Sequence, residues 1–325
     1  MQDFPTKAKK RILKDRRELL KNPLHEFGIY IEFDEDNMKY AHVLIIGPPE
    51  TRYEKGFYLF HIEYPNNYPF SPMKLTFLTS NGKTRMNPNL YVNGKVCISI
   101  LGTWSGPGWT SCQTTKSVLL SLLILFNMNP INNEPGYTDY APETDIAKNY
   151  NKIIDYQNMY LAVYKMTKRN PHPCPPLQLI MANYVKENYE WYISKIKENM
   201  IHDNQLITMS VYKLSEKLKY QELLTKFNKL NDYVNNLTIS KESESGTLTP
   251  MDKESSTIEP LEKESGTIEP VEKESGTKQT KKGRKAPTKP SGNFEIGYKM
   301  ISENDAGCYY VVKKMNHGSR WIKCT

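Results

Sequence analysis

The sequence lacks the cysteine patterns of a metal-bound or disulfide-linked fold. Its five cysteines form no Cys-x-x-Cys pair and no cluster with the six histidines, so neither a zinc site nor a disulfide framework is indicated. Long apolar runs are also missing, since the most apolar stretch, 118–126, is far shorter than the roughly 20 residues that cross a membrane. Residues 1–17 are charged and have no signal-peptide core. We therefore expect a soluble, intracellular protein without a bound metal or a membrane partner.

Charge of one sign is only slightly in excess. Lysine and arginine number 44 against 36 aspartates and glutamates, a formal net charge of +8, and much of the positive charge falls in two places, 7–21 and 281–285. No recognised nucleic-acid-binding motif accompanies these segments, so a nucleic-acid partner is disfavoured. The cluster at 281–285 has two interpretations, solvated linker charge or a nuclear address. We expect a cytoplasmic location, with the nucleus as an alternative.

Hydrophobic periodicity predicts an α+β fold. Apolar residues recur at helical spacing over Thr6–Lys21, with basic residues around them. Four β-prone runs separated by turn residues then predict an antiparallel meander. These runs are Ile29–Phe33, Tyr40–Ile46, Phe57–Tyr64 and Lys74–Leu78. Helical spacing returns afterwards and predicts helices over 114–126, 145–168 and 177–192, and one or two more over 211–237.

The last quarter of the chain changes composition. From about 240 to 293 a ten-residue repeat recurs, with copies starting at Lys253, Lys263 and Lys273. A segment this rich in Ser, Glu and Pro cannot bury a core, so it is predicted to be a disordered linker. The tail, 294–325, has two β-prone runs on either side of Asn316-His317-Gly318 and predicts a short β-hairpin.

One cysteine has informative neighbours. Cys97 lies in the apolar run Val-Cys-Ile-Ser-Ile-Leu, eight residues after Asn89, and Gly94 lets the chain bend before it. A lone cysteine in such a run is often a buried packing residue. A thiolate is also a nucleophile, and a nearby amide donor can hold the oxyanion that forms when it attacks a thioester. From these residues alone both interpretations stay open.

The same stretch resembles the active site of ubiquitin-conjugating enzymes. Asn87-Pro88-Asn89, with Cys97 eight residues later, is similar to the family's His-Pro-Asn and catalytic cysteine, and Tyr68-Pro69-Phe70-Ser71-Pro72 resembles an earlier family motif. The chain departs from the family in reading Asn87 where most members have His, and in a longer loop, 102–108, before the Trp109 that is expected to open the next helix. These departures, with the later Asn133-Glu134-Pro135, are similar to an extended subgroup charged by a second kind of activating enzyme.

The resemblance implies two acyl transfers with no cofactor bound, ATP being used only by the upstream activating enzyme. Cys97 would accept ubiquitin, or a ubiquitin-like protein, as a thioester and transfer it to a substrate lysine or a ligase. Asn89 would hold the oxyanion or order the loop, and Glu134 would orient the attacking amine. Residues expected to shape the approach are Tyr91, Gly94, Trp104 and Trp109. Candidate contacts for the activating enzyme or the ligase are Lys9, Lys10, Lys14, Phe70 and Ser111.

The resemblance also divides the chain. It implies a conjugating core over 1–168 and a helical extension over 169–239, followed by the linker at 240–293 and the tail at 294–325. The alternative function is a non-catalytic adaptor that uses the same fold only to bind ubiquitin or a partner. Phe70 keeps two interpretations, a core anchor or a ligase contact, and Cys112 is expected to be a small packing residue.

Overall fold

The computed structural model describes residues 5–245, 299–301, 309–315 and 318–323, with the side chains of 5–237. The chain divides into two compact units, Met1–Met251 and Asp252–Thr325, and each is described by itself. Most of the predicted repeat linker and all of the basic cluster at 281–285 lie outside the described residues.

The first helix, α1, spans Thr6–Lys21, as its spacing predicts. Ala8, Ile12 and Leu19 lie on its buried face, while most of its lysines and arginines are exposed. The helix is amphipathic because burying the apolar stripe against the core removes that surface from water.

A carboxylate on the buried face of α1 ties the helix to the rest of the unit. Asp15 is 2% exposed and accepts hydrogen bonds from Arg11 Nε at 2.8 Å, Tyr68 Oη at 2.5 Å and Thr115 N at 2.9 Å. Burial, followed by the neighbouring Asp15 carboxylate, raises the pKa of Tyr68 well above its usual value, so the phenol stays a donor. Arg11 also donates to the main-chain carbonyls of Ser111 and Gln113. The network therefore fixes α1 to two loops and to the start of the next helix.

Four antiparallel strands form the sheet in chain order, which confirms the predicted meander. They are β1 Ile29–Phe33, β2 Tyr40–Ile46, β3 Phe57–Glu63 and β4 Lys74–Phe77. The central strands β2 and β3 pair from Tyr40 with Glu63 to Ile46 with Phe57. Most of their side chains are fully buried, because the two central strands are covered on both faces.

Helix α2, Thr115–Leu122, follows the active-site stretch. Thr114 caps it through a capping box with Ser117, which satisfies main-chain N–H groups at the helix start. The predicted helix over 114–126 is correct in place but shorter, because Leu123–Leu125 tightens into a 3-10 turn. Trp109 does not open the helix, contrary to the expectation, and lies in the loop before it.

The predicted helix over 145–168 forms, with a change of geometry inside it. Helix α3 spans Asp145–Gln157 and continues as a π-helix over Asn158–Lys165. At the junction, Asn158 Oδ1 accepts a hydrogen bond from Tyr58 Oη at 2.6 Å and Nδ2 donates to Glu54 O at 2.9 Å. A Cβ at Gly56 would lie 1.8 Å from Asn158 Oδ1, so only glycine lets the two segments approach.

The chain after 168 adds three helices and a hairpin to this unit. The helices are α4 Pro175–Glu187, α5 Tyr189–Glu198 and α6 Tyr220–Ser245. Tyr184 packs edge-on against Phe57 at 6.0 Å between ring centroids, and Tyr192 Oη donates to Lys55 O at 2.8 Å. The helical prediction for 177–192 is thus confirmed as two helices that contact the core.

The prediction of helix from residue 211 is wrong for its first part. Strands β5, Leu206–Met209, and β6, Leu214–Lys217, form an antiparallel hairpin, with a tight turn over Val211–Lys213 at its tip in which Tyr212 has a non-helical main chain. Within β6 the burial follows a strand rather than a helix, since Leu214 is buried and its neighbour Ser215 exposed. Helix α6 starts only at Tyr220 and runs to Ser245, beyond the predicted extension boundary at 239.

The second unit contains a three-stranded antiparallel sheet. Strand β8, Tyr309–Met315, pairs with β9, Gly318–Lys323, as the predicted hairpin, and β7, Lys299–Ile301, adds a third strand. Across all described residues of both units, every helix is too short or too polar to cross a bilayer.

Candidate active site

Cys97 lies at the end of a turn that the main chain holds closed. Its N–H donates to Asn89 O at 2.9 Å, and Leu90 and Val96 form a β-bridge just before it. Cys97 is 2% exposed. Its neighbours in space and sequence, Asn89 and Ile98, line a groove on the surface of the unit.

Asn89 holds the same turn with its side chain. Its Nδ2 donates to Cys97 O at 2.7 Å, in addition to the hydrogen bond that Cys97 N–H donates to the main-chain carbonyl of Asn89. The amide nitrogen has a second N–H group, which could donate a hydrogen bond to an oxyanion. Its Oδ1 is buried and has no partner among the described residues. Two roles were expected for Asn89, holding an oxyanion or ordering the loop. The observed hydrogen bond to Cys97 O is of the kind that orders the loop.

The asparagine that replaces the family's histidine is a structural residue. Asn87 is fully buried, and its Nδ2 donates to Tyr53 Oη at 2.9 Å and to Leu125 O at 2.7 Å. Its Oδ1 accepts from Asn89 N at 2.9 Å and from Asn133 Nδ2 at 3.4 Å. Asn87 therefore uses both donors and its acceptor to join the active-site turn to the core and to the segment before Glu134.

The loop after the cysteine is fastened to the residues on both sides of it. Thr103 Oγ1 donates to Val96 O at 2.9 Å and accepts from Ile98 N at 3.0 Å. Beside this loop is a groove of about 480 Å³. The groove is lined by Asn89, Ile98, Trp104, Ile124, Leu125, Asn133 and other residues of these segments. Trp104 thus lines the same groove as Asn89 and as Ile98, the residue after Cys97.

Gly94 and Tyr91 form the turn before the cysteine. Gly94 has φ +88°, and a Cβ there would lie 2.9 Å from Thr76 Cγ2 and 3.1 Å from Phe77 O, so a side chain would be both strained and crowded. Gly94 N–H donates to Tyr91 O at 2.9 Å. The Tyr91 ring lies 3.7 Å from the guanidinium carbon of Arg85. The turn before Cys97 is therefore in contact with the positively charged side chain of Arg85 through the Tyr91 ring.

That charged side chain faces Glu134. Glu134 follows the 3-10 turn Pro130–Asn133, and its Oε2 lies 3.9 Å from Arg85 Nη2 and accepts a hydrogen bond from Tyr212 Oη at 2.6 Å. Two of the three guanidinium nitrogens of Arg85, Nε and Nη2, donate hydrogen bonds to Pro88 O. The carboxylate is therefore linked through one arginine to the main chain immediately before Asn89.

Comparisons with known proteins show the family to which the chain is similar. A model of the ubiquitin-conjugating enzyme family matches residues 11–156. The human protein named ubiquitin-conjugating enzyme E2 Z is 36% identical over 250 residues, covering 74% of this chain and 70% of the relative. The Xenopus tropicalis protein of the same name is 35% identical over 225 residues, covering 69% and 71%.

The chain belongs to the ubiquitin-conjugating enzyme family.

Membership confirms the predicted fold and enzyme class. The chain is a transferase of the ubiquitin conjugation pathway, and nothing in the comparisons favours the non-catalytic adaptor. Ubiquitin, an activating enzyme and a ligase are the partners with which this family works in general. A match that covers 74% of a 325-residue chain must include the extension after residue 168, so the human relative resembles this ubiquitin-conjugating enzyme beyond the core.

The candidate partner residues of this ubiquitin-conjugating enzyme lie on its surface. Lys9, Lys10 and Lys14 are exposed on α1, and Ser111 is exposed with its carbonyl held by Arg11. Phe70 is 70% exposed, which rules out the core-anchor interpretation.

Two residues near α2 have other surroundings than expected. Trp109 Nε1 donates to Pro69 O at 2.6 Å, so its ring shapes the 65–72 loop through this bond. Cys112 is exposed, so its interpretation as a packing residue is wrong.

Sequence reasoning missed four residues of this site and its support: Asp15, Arg85, Thr103 and Tyr212. Asp15, Arg85 and Tyr212 belong to no motif, whereas Thr103 lies in the Gly102-Thr103-Trp104 string that resembles the subgroup, and each acts through partners that are distant in sequence or on the main chain. Tyr212 lies 78 residues from Glu134, so no local pattern could have brought them together. Among the described residues, no group of three or more His, Cys, Asp or Glu side chains is arranged to hold a metal ion.

Proposed function

We propose that Cys97 is the residue on which this ubiquitin-conjugating enzyme carries its modifier. The thiolate attacks the carbonyl carbon of the activating enzyme's thioester, a new C–S bond forms, and the activating enzyme's cysteine leaves as a thiolate. An amine of a substrate lysine, or the cysteine of a ligase, then attacks the same carbonyl and Cys97 leaves. The observation that carries this proposal is the pair of hydrogen bonds by which Asn89 holds Cys97 beside the groove.

Asn89 and Glu134 have different roles in this proposal. Asn89 keeps the cysteine turn in place and has a second N–H that can stabilise the oxyanion. Glu134 orients the neutral amine and accepts its proton as the C–N bond forms, because the nitrogen needs its lone pair for the attack. Tyr91, Gly94 and Trp104 shape the approach.

The modifier is ubiquitin or a ubiquitin-like protein, and we propose that the second kind of activating enzyme supplies it. The extension, with the similarity to the proteins named E2 Z, supports this choice. Lys9, Lys10 and Lys14 are proposed contacts for that enzyme, and Phe70 and Ser111 for a ligase. Because ATP-dependent charging precedes the reaction, the protein is expected to work inside the cell.

A charging assay tests the proposal. The purified chain is incubated with ATP, ubiquitin and each kind of activating enzyme in turn, and a thiol-sensitive band is sought on a non-reducing gel. We expect Cys97→Ser to give a band stable to thiol, Cys97→Ala to give no band, and Cys112→Ala to behave as the parent. Thioester formation by Cys97→Ala would refute the assignment. Charging by the common activating enzyme alone would refute the choice of supplier and leave the role of Cys97 intact.

A further inference from the structure

The hairpin β5–β6 brings one side chain of the extension to the candidate active site. Tyr212, at the hairpin tip, donates from Oη to Glu134 Oε2 at 2.6 Å. Burial, and then the hydrogen bond and charge of Glu134, raise the pKa of Tyr212 well above its usual value. The phenol therefore remains protonated and serves as a permanent donor to the carboxylate.

The Tyr212 ring also holds the arginine beside that carboxylate. The guanidinium carbon of Arg85 lies 4.6 Å from the centroid of the Tyr212 ring and 3.7 Å from that of Tyr91. A cation held against two aromatic faces is stabilised by both quadrupoles and restricted in its motion. Since Arg85 donates to Pro88 O, the contacts run from the extension through Arg85 to the turn that carries Asn89.

The main chain at the hairpin tip has a strained conformation, and this conformation sets the position of the Tyr212 ring. Tyr212 has φ +59° and Lys213 has φ +51°, and two consecutive non-glycine residues in the left-handed region are uncommon. Such strain persists only where the surroundings hold it. Here the Tyr212 ring packs 5.9 Å from that of Tyr150, whose Oη donates to Arg85 O at 2.7 Å. Core and extension thus hold the same arginine from two sides.

We propose that Tyr212 is a positioning residue of the conjugation reaction, which makes the extension a working part of the active site. Tyr212 takes Oε2 of Glu134 and fixes the carboxylate, so Oε1 is left for the incoming amine. The amine nitrogen gives its lone pair to the thioester carbonyl, the C–N bond forms, the C–S bond breaks with Cys97 leaving as thiolate, and the amine's proton passes to Glu134. This inference rests on the proposed roles of Cys97 and Glu134.

The test separates charging from discharge in the full chain. Four variants are compared with the parent: Tyr212→Phe, Glu134→Gln, the double variant, and Tyr189→Phe as the matched control. Tyr189 is another tyrosine of the extension, and its Oη donates to Asn228 at 2.8 Å. Each variant is charged with ubiquitin, the activating enzyme is quenched, and the decay of the thioester is followed over a range of free lysine concentrations.

We expect Tyr212→Phe to charge at the parental rate and to discharge to lysine about tenfold more slowly, as for the loss of a hydrogen bond to a charged group. Tyr212→Phe should lower the maximal rate of discharge rather than raise the lysine concentration that gives half of it, because the tyrosine does not contact the amine. Tyr189→Phe should match the parent. In the Glu134→Gln background, Tyr212→Phe should slow discharge further by less than about twofold, because both substitutions act through the same carboxylate.

Two results would overturn the inference. One is parental discharge by Tyr212→Phe, and the other is a tenfold loss that adds in full to that of Glu134→Gln, which would indicate a structural effect independent of the carboxylate. A failure of the proposed function is distinguishable, since it would appear earlier, as charging of Cys97→Ala or as unchanged discharge by Glu134→Gln alone.

Discussion

Replacing the buried carboxylate of α1 should destabilise the first unit strongly. In Asp15→Asn, the side chain keeps its shape but has one acceptor oxygen where four donors converge, Arg11 Nε, Tyr68 Oη, Thr115 N and Thr115 Oγ1. If the amide oxygen takes the place of Oδ2, the amide NH₂ faces Arg11. If it takes the place of Oδ1, the NH₂ faces Tyr68 and Thr115. In either orientation at least one donor is left without a partner.

The magnitude follows from those losses. A hydrogen bond to a charged group contributes about 1.5–3 kcal/mol, and removing one partner of a buried ion pair costs about 3–5 kcal/mol. The Arg11 side chain is 17% exposed, so water offsets part of the loss. We expect the free energy of unfolding to fall by about 2–4 kcal/mol.

Urea unfolding followed by circular dichroism measures this change. With a denaturant slope of about 3 kcal/mol per molar, the midpoint should fall by about 1 M. Asp36→Asn is the matched control, because Asp36 lies exposed in the turn after β1, and its effect should stay within about 0.5 kcal/mol. A midpoint for Asp15→Asn equal to that of the control would refute the network as a source of stability.

Three further changes test other parts of the structure. Thr103→Val removes the hydroxyl that joins Val96 and Ile98 across Cys97, and should slow charging several-fold in a single-turnover assay, whereas the exposed Thr110→Val should not. Gly94→Ala forces a Cβ to 2.9 Å from Thr76 Cγ2 at φ +88°, and should lower the free energy of unfolding by about 1–3 kcal/mol in urea. Burial lowers the pKa of His172 to about 4, below its unfolded value of about 6.5, so the folded state binds fewer protons in that window and stability should fall as pH drops from 6.5 to 4. His172→Gln should remove about 1–2 kcal/mol of that fall, solvent screening included, and an unchanged pH profile of the melting temperature would contradict this.

The extension changes how the active site of this ubiquitin-conjugating enzyme is built. Lys55, held at φ +58°, places its ammonium 5.0 Å from the Trp191 ring and its carbonyl within 2.8 Å of Tyr192 Oη. The core therefore offers polar and charged groups that the extension satisfies. With the contact between Tyr212 and Glu134, these contacts lead us to expect that removing residues after 168 would destabilise the core and release the Glu134 carboxylate from its tyrosine donor.

Local patterns determined most of the fold. Helix α1 follows from its apolar stripe, and the meander from alternating β-prone runs separated by turns, because burial of apolar surface acts on the spacing of nearby residues. The segment Val211–Leu218 misled the same reasoning. Its apolar residues at 211, 214 and 218 fit helical spacing, yet the chain forms a hairpin whose tip is held by contacts with distant residues.

The spacing of Asn89 and Cys97, through its resemblance to the family motif, pointed to the candidate active-site turn, and in the fold the Asn89 amide donates to the cysteine's own carbonyl. Sequence alone could not give the environment of Glu134. Its partner Arg85 comes from a distant segment of the core, and its partner Tyr212 reaches it only when the extension folds over the core. The geometry of a local motif follows from short-range backbone conformation, whereas the partners of a charged side chain are determined by tertiary packing. Here the packing decided which side chains surround Glu134.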